Sequence, residues 1–203
     1  MSLLNVFVQP AKVILSVDTQ SSVATAGGPT QKQHTSKLLT LPHANIVMAS
    51  RGDQLLFNGV FAAAQSAAPE LTIDALGENL AAAGDAWWEI LTSRNPEHAH
   101  CATEIVAAGW CGTAGRMVAF HSVRYDQEGR FKTTPLTSYM AAPGFDWKHP
   151  PVIPDGPGMC EVLARKQVAR HRQELPDAAI GGLLLYAEVT RDSTSIRTIA
   201  DLG

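Results

Sequence analysis

The 203-residue sequence is short of charge: 17% is Asp, Glu, Lys or Arg, against the ~25% usual for a globular domain, while 45% is apolar. Such a chain is no disordered, solvating segment; it folds and buries much of itself. A basic excess is also missing, with 16 Lys and Arg facing 19 Asp and Glu, so the electrostatic footprint of a nucleic-acid binder is absent and no nucleic-acid partner is expected. No apolar run approaches the ~18–20 residues of a membrane span, which argues against a membrane protein. The opening Met1-Ser-Leu-Leu-Asn-Val-Phe-Val8 has no positive start and is cut short by Gln9, Pro10 and Lys12, unlike a secretory signal. Cysteine is scarce: Cys101, Cys111 and Cys160 cannot all pair within one chain, and a chain of this length can build a core without staples. The expectation is a cytoplasmic protein of one domain, residues 1–203.

Turn residues punctuate the first third, and between them lie apolar, β-branched runs of strand length. Leu3–Val8 and Val13–Asp18 predict a hairpin across Pro10-Ala-Lys12. Val13, Ile14, Leu15 and Val17 point to both faces, as in a strand covered on each side. Ser21–Ala26 predicts a weaker strand that Gly27-Gly28-Pro29 ends, and Lys37–Leu41 with Asn45–Ser50 a second hairpin across Pro42-His43-Ala44. From Asp53, a residue able to cap orphan N–H groups, Leu55, Leu56, Val60, Phe61 and Ala64 recur at helical spacing to about Ala68. Pro69 ends that helix. Thr72 or Asp74 opens a second, striped by Leu76, Leu80, Ala83, Trp87 and Leu91.

Thr103–Trp110, Arg116–Tyr125 and Arg130–Tyr139 then predict a meander, with the turn Asp126–Gly129 before its last strand. Ala141–Pro157 predicts a long proline-rich loop, Gly158–Glu174 a third helix, and Gly181–Val189 with Ser195–Ile199 a closing hairpin. Neighbours Trp87 and Trp88 point about 100° apart on a helix, so one is left to meet the third helix or a partner subunit. A doubly wound parallel sheet needs a helix after almost every strand, and this order of elements does not supply one. Two antiparallel sheets packed between helical layers bury both faces of both sheets and match the near-continuous apolar runs. The fold class is therefore α+β, a four-layer αββα sandwich.

Within that order, Val13-Ile-Leu-Ser-Val-Asp18-Thr, Lys37-Leu-Leu, Asn45-Ile-Val-Met-Ala49 and Asp177-Ala-Ala-Ile-Gly181-Gly182-Leu-Leu-Leu-Tyr186 carry a likeness. They resemble an aspartate-ended strand, a lysine-led strand, the strand after it and a late Gly-Gly segment in the proteasome β-subunit and bacterial HslV family of N-terminal nucleophile (Ntn) hydrolases. The resemblance implies hydrolysis of an amide or peptide bond in a peptide or small amide substrate, no cofactor and no metal, and assembly into a homo-oligomer. Family chemistry uses an N-terminal Thr, Ser or Cys whose own α-amine, titrating near ~7.7–8.0, is the general base. The candidate here is Ser2, freed by removal of Met1, sixteen residues before Asp18. By the resemblance, Lys37 favours the deprotonated amine and lowers the Ser2 hydroxyl, Asp18 holds the Lys37 ammonium, and Asp177 supports the site.

Read from the residues alone, Ser is a common second residue, Asp18 and Lys37 form the ion pair that two burials in apolar strands demand, and Asp177 caps a turn after Pro176. Three departures from the family pattern favour a rival, a catalytically inactive structural or assembly protein of the same fold. Ile180 stands where the family has a serine, and Met140-Ala-Ala-Pro-Gly144 where it has Ser-Gly. Ser50 or Arg51, in Ala49-Ser50-Arg51-Gly52, takes the place of the glycine whose N–H holds the oxyanion. Other signals have plainer explanations. Glu97-His98-Ala-His100-Cys101 has no second ligand pair and reads as a polar loop. Arg51-Gly-Asp53 is a strand-to-helix turn, Cys111–Gly115 a hairpin connection without the Lys-Ser/Thr of a phosphate loop, and no Gly-x-Ser-x-Gly elbow occurs.

Overall fold

In the computed structural model of the chain, which describes residues 2–23, 31–67, 70–125, 129–144, 153–175 and 180–203, alternation sorts the side chains of β1 (Leu4–Val8) and β2 (Lys12–Asp18) to two faces. Leu4, Val6, Val13, Leu15 and Val17 enter a core between two sheets, while Phe7 and Ile14 turn to the opposite face. The two strands pair as the expected hairpin, Leu4 opposite Val17 and Val8 opposite Val13. Next come a two-stranded ribbon, β3 (Gln20–Val23) with β4 (Gln31–His34), and the hairpin of β5 (Leu38–Leu41) and β6 (Ile46–Arg51), bridged by a 3-10 turn over Pro42–Ala44.

Helices α1 (Gln54–Ser66) and α2 (Ile73–Arg94) begin where their caps predict. The Asp53 carboxylate accepts from the N–H groups of Leu55 at 2.8 Å and Leu56 at 3.0 Å, and the Thr72 hydroxyl from Ala75 at 3.2 Å. A 3-10 turn over Pro96–His100 leads into β7 (Thr103–Cys111), β8 (Arg116–Arg124), β9 (Lys132–Leu136) and β10 (Tyr139–Ala142). Helix α3 (Pro157–Glu174), β11 (Leu183–Thr190) and β12 (Thr194–Asp201) follow.

One sheet runs β10-β1-β2-β11-β12 and the other β5-β6-β7-β8-β9, antiparallel throughout. Their facing sides share one apolar core, to which Val47, Ala49, Val106, Ala108, Ala187 and Val189 also belong. On the second sheet's outer face, Ile46, Met48 and Ile105 meet Leu56, Phe57, Val60, Leu76 and Leu80 of α1 and α2. On the first sheet's outer face, Leu3, Phe7, Ile14 and Tyr186 meet Cys160, Leu163, Ala164 and Val168 of α3. This is the αββα sandwich expected from the order of elements. Among the described residues no helix is long and apolar enough to cross a membrane.

Aromatic rings close the α1–α2 layer over glycines. A Cβ on Gly59 would stand 2.4 Å from the Trp87 ring, on Gly77 2.6 Å from Phe120, and on Gly84 2.7 Å from Phe131. Trp88 lies under the Arg124 guanidinium, 3.9 Å from the ring centroid. Both tryptophans thus belong to the α1–α2 layer, and the expected contact with the third helix does not form because α3 covers the other sheet.

The predicted strand Arg130–Tyr139 divides. Pro135, which has no N–H to donate, sits on the sheet edge opposite Phe120, and the chain then bends at Thr137 and Ser138 and crosses to the first sheet, where Ala142 faces Leu4 of β1. Ala141 and Ala142 are therefore strand, not loop. The weak strand Ser21–Ala26 begins earlier, at Gln20, and pairs with β4, whose Gln31-Lys-Gln-His34 has no apolar residue to betray it. Gly27-Gly28-Pro29, Asp126–Glu128, the middle of the proline-rich loop at 145–152, and Asp177 lie outside the described residues.

Candidate active site

Five chain segments converge at one end of the first sheet: the residues ahead of β1, the last residue of β2, the start of β3, the residue before β5 and the turn before β11. Strand alternation turns Asp18 away from the interior that takes Val17, and there its carboxylate is fully buried. Asp18 Oδ1 accepts from the Leu3 N–H and from Lys37 Nζ, each at 2.9 Å, and Oδ2 from the Gly181 N–H at 2.9 Å. Lys37 is 3% exposed and spends all three of its ammonium donors, on Asp18, on Ser2 Oγ at 2.9 Å and on the Gln20 carbonyl. Ser2 is buried beside it.

A carboxylate and an ammonium this deep must hold each other, because removing one strands a charge. Burial pushes the Asp18 carboxyl up from its ordinary value, against the charge and hydrogen bond of Lys37 and the two N–H groups. Burial likewise pushes Lys37 down, against Asp18, and the nearby Arg51 charge adds to that drop. An ammonium lowered in this way and hydrogen-bonded to a hydroxyl can stabilise the developing alkoxide when that hydroxyl attacks.

Three of the four residues expected from the sequence are thus together, Ser2, Asp18 and Lys37; the fourth, Asp177, lies outside the described residues. The main-chain groups of Leu3, Gln20 and Gly181 that complete the cluster left no side-chain signature, apart from the Gly181-Gly182 pair. A Cβ on Gly181, at φ +139°, would stand 2.4 Å from the Gly203 carbonyl oxygen.

The departures keep their weight. Ile180 is fully buried in the apolar cluster with Leu3, Ala164 and Val168, and Met140, Ala141 and Ala142 pair with β1, so no hydroxyl stands at either place. Neither Ser50 nor Arg51 offers an open N–H. The Ser50 N–H donates to the Lys37 carbonyl at 2.9 Å, and alternation turns that of Arg51 toward β7, where it pairs with Glu104.

The fold is similar to known structures. Anbu, the ancestral beta-subunit, from Yersinia bercovieri superposes with a TM-score of 0.63 at 12% identity, over 98% of this chain and 88% of that one. A Gly-1 mutant of Anbu from Hyphomicrobium sp. strain MC1 gives 0.63 at 11% identity over the same shares. The chain has the Anbu fold. This corrects the resemblance to proteasome β-subunits and HslV: both of these structures are Anbu, proteasome-like but a distinct family. Motifs this short can point to a fold and cannot choose between families that share it. No protein-family model and no curated protein sequence matches the chain.

Near α1, the polar loop before β7 has a structural use: His98 Nδ1 meets Asp53 Oδ2, fixing the carboxylate that caps the helix. The side chains of Glu97 and His100 lie outside the description, and among the described residues no group of three His, Cys, Asp or Glu could hold a metal. The Arg51-Gly-Asp turn needs its glycine. At φ +109° a Cβ on Gly52 would stand 2.1 Å from the Ala102 carbonyl oxygen.

Proposed function

We propose that the protein is an Ntn-type amide hydrolase whose nucleophile is Ser2 after Met1 is removed. The observation that carries this reading is the hydrogen bond from the buried Lys37 ammonium to Ser2 Oγ, with Asp18 behind it. In the reaction, the Ser2 α-amine takes the hydroxyl proton as Oγ bonds to the carbonyl carbon. Lys37 steadies the negative charge on Oγ, and the ammonium formed at Ser2 returns its proton to the leaving nitrogen as the C–N bond breaks. The amine then takes a proton from water as the water oxygen bonds to the ester carbon, and passes that proton to Oγ as the C–Oγ bond breaks, releasing the acid and restoring Ser2. The substrate is a peptide or small amide, no cofactor takes part, and Asp177 supports the site. The whole chain works as one domain, assembles with copies of itself, and acts in the cytoplasm, where its three free thiols stay reduced.

A second reading is an inactive structural or assembly protein, favoured by the buried Ile180 and the Met140–Ala142 strand where hydroxyls would relay protons. Intact-mass spectrometry of untagged protein separates the two. Loss of Met1 together with a β-lactone or epoxyketone adduct mapped to Ser2 supports the hydrolase; a retained Met1, or an adduct elsewhere, leaves the structural reading. Light scattering tests assembly, and a monomer at micromolar concentration would refute it.

A further inference from the structure

A cleft of about 380 Å³ adjoins the cluster and shares Gln20 with it, the other walls being His34, Gly182, Leu183, Asp201 and Gly203. Its main-chain donors are already spent. The Gly182 N–H goes to the Gly203 carbonyl at 3.3 Å, the Leu183 N–H to Thr19 Oγ1 at 3.0 Å, the Gly203 N–H to Asp201 Oδ1 at 2.9 Å, and the Gln20 N–H to the Gly181 carbonyl at 3.1 Å. The Arg172 guanidinium behind this wall is held on the Ile180 and Gly203 carbonyls. His34 is fixed through Nδ1 to Thr19 Oγ1 at 2.8 Å and pressed so closely to Gly182 that a Cβ there would stand 2.6 Å from its ring.

Acceptors remain. Gln20 Oε1 is buried with no donor, and Asp201, on the exposed end of β12, keeps its second carboxylate oxygen. An acidic group in this cleft would meet the Asp201 carboxylate, while an aliphatic one would leave the Gln20 oxygen unpaired. A planar or tetrahedral cation with several N–H donors answers both. We propose that the cleft is the subsite for a guanidinium- or ammonium-bearing side chain of the amide substrate, with Asp201 and Gln20 as its specificity residues. As a substrate subsite it rests on the hydrolase reading.

Two measurements test it. Arginine amide and norleucine amide are titrated into the ¹⁵N-labelled full-length protein, following the Gly182, Leu183 and Gly203 amide signals. Separately, kcat/KM is compared for arginyl and norleucyl aminocoumarin amides. The expected result is at least tenfold tighter binding and at least tenfold higher kcat/KM for the arginine compounds, both falling to parity in Asp201→Asn. Hydrolysis without that preference, or a preference that Asp201→Asn leaves intact, overturns the subsite while the hydrolase stands. Arginine amide binding in the cleft with no hydrolysis and no Ser2 adduct overturns the hydrolase reading, and the subsite's role with it.

Discussion

The two helical layers of the sandwich are built on different terms. Under α1 and α2 the contacts are apolar and interlocked, with three glycines admitting aromatic rings and a single large cluster running from Leu41 to Phe131. Under α3 the apolar contact breaks into two smaller clusters, and between them polar groups are buried: Asn5 and Gln167 exchange amide hydrogen bonds at 2.8 and 2.9 Å, and Asn5 also reaches Ser16. The Ser2–Lys37–Asp18 cluster lies on this second side. One layer holds the fold by burial, which tolerates no precise chemistry; the other accepts desolvation costs so that side chains can be aimed.

The sharpest way to break that contrast is at Lys37. Lys37→Ala leaves Asp18 buried without its cation and is expected to cost about 3–5 kcal/mol in urea denaturation. Where the single variant still folds, labelling of Ser2 should slow on the order of 10²-fold or more. A Lys37→Ala protein as stable and as reactive as wild type would mean that the second side is ordinary packing.

On the first side, Leu80→Ala should cost about 2–5 kcal/mol by opening a cavity under α2. That lowers Tm by roughly 2–4 °C per kcal/mol in a chain of this size, with Ser2 reactivity of the folded protein unchanged. A matching loss of reactivity would show that the layers are coupled.

At the interior's open end, burial alone would push Glu104 up, yet the hydrogen bonds and charges of His121 and Arg51 hold it below its ordinary value of 4.5. A carboxylate depressed in the folded state adds stability above that value and loses it as pH falls through the lower folded one. Glu104→Gln should therefore be less stable at pH 7 and show a flatter decline between about pH 5 and 3; an unchanged acid limb would remove Glu104 from the balance. The smallest effect is expected on the outer face of α3, where Glu161 and Arg165 pair at 2.8 Å in solvent. Glu161→Ala should shift stability by under about 1 kcal/mol, and a larger change would mark that face as covered in solution.

Period and punctuation made much of the first side legible in advance: the Asp53 and Thr72 caps, the stripe through Leu76 and Leu80, and the hairpins each rest on neighbours in sequence. The pairing of Asp18 with Lys37 was legible too, since two opposite charges in apolar strands require each other. What local pattern could not reveal is where a strand goes. Nothing between Arg130 and Tyr139 announces a change of sheet except Pro135, and Gln31–His34 forms a strand through its backbone alone. The donors to Asp18 from Leu3 and Gly181, and the Gln20 carbonyl under Lys37, are backbone groups that every residue possesses. The short motifs identified an architecture and then over-resolved it to the wrong branch.

The crossing of β10 to β1 also bears on timing. The hairpin that ends in Asp18 is made before both of its flanking strands, which come from residues 139–142 and 183–190. Both edges of the hairpin therefore wait, unpaired, for most of synthesis, and contacts of such long sequence separation make for slow folding. During that wait Asp18 stands uncovered; only when β11 docks does the Gly181 N–H close on its carboxylate.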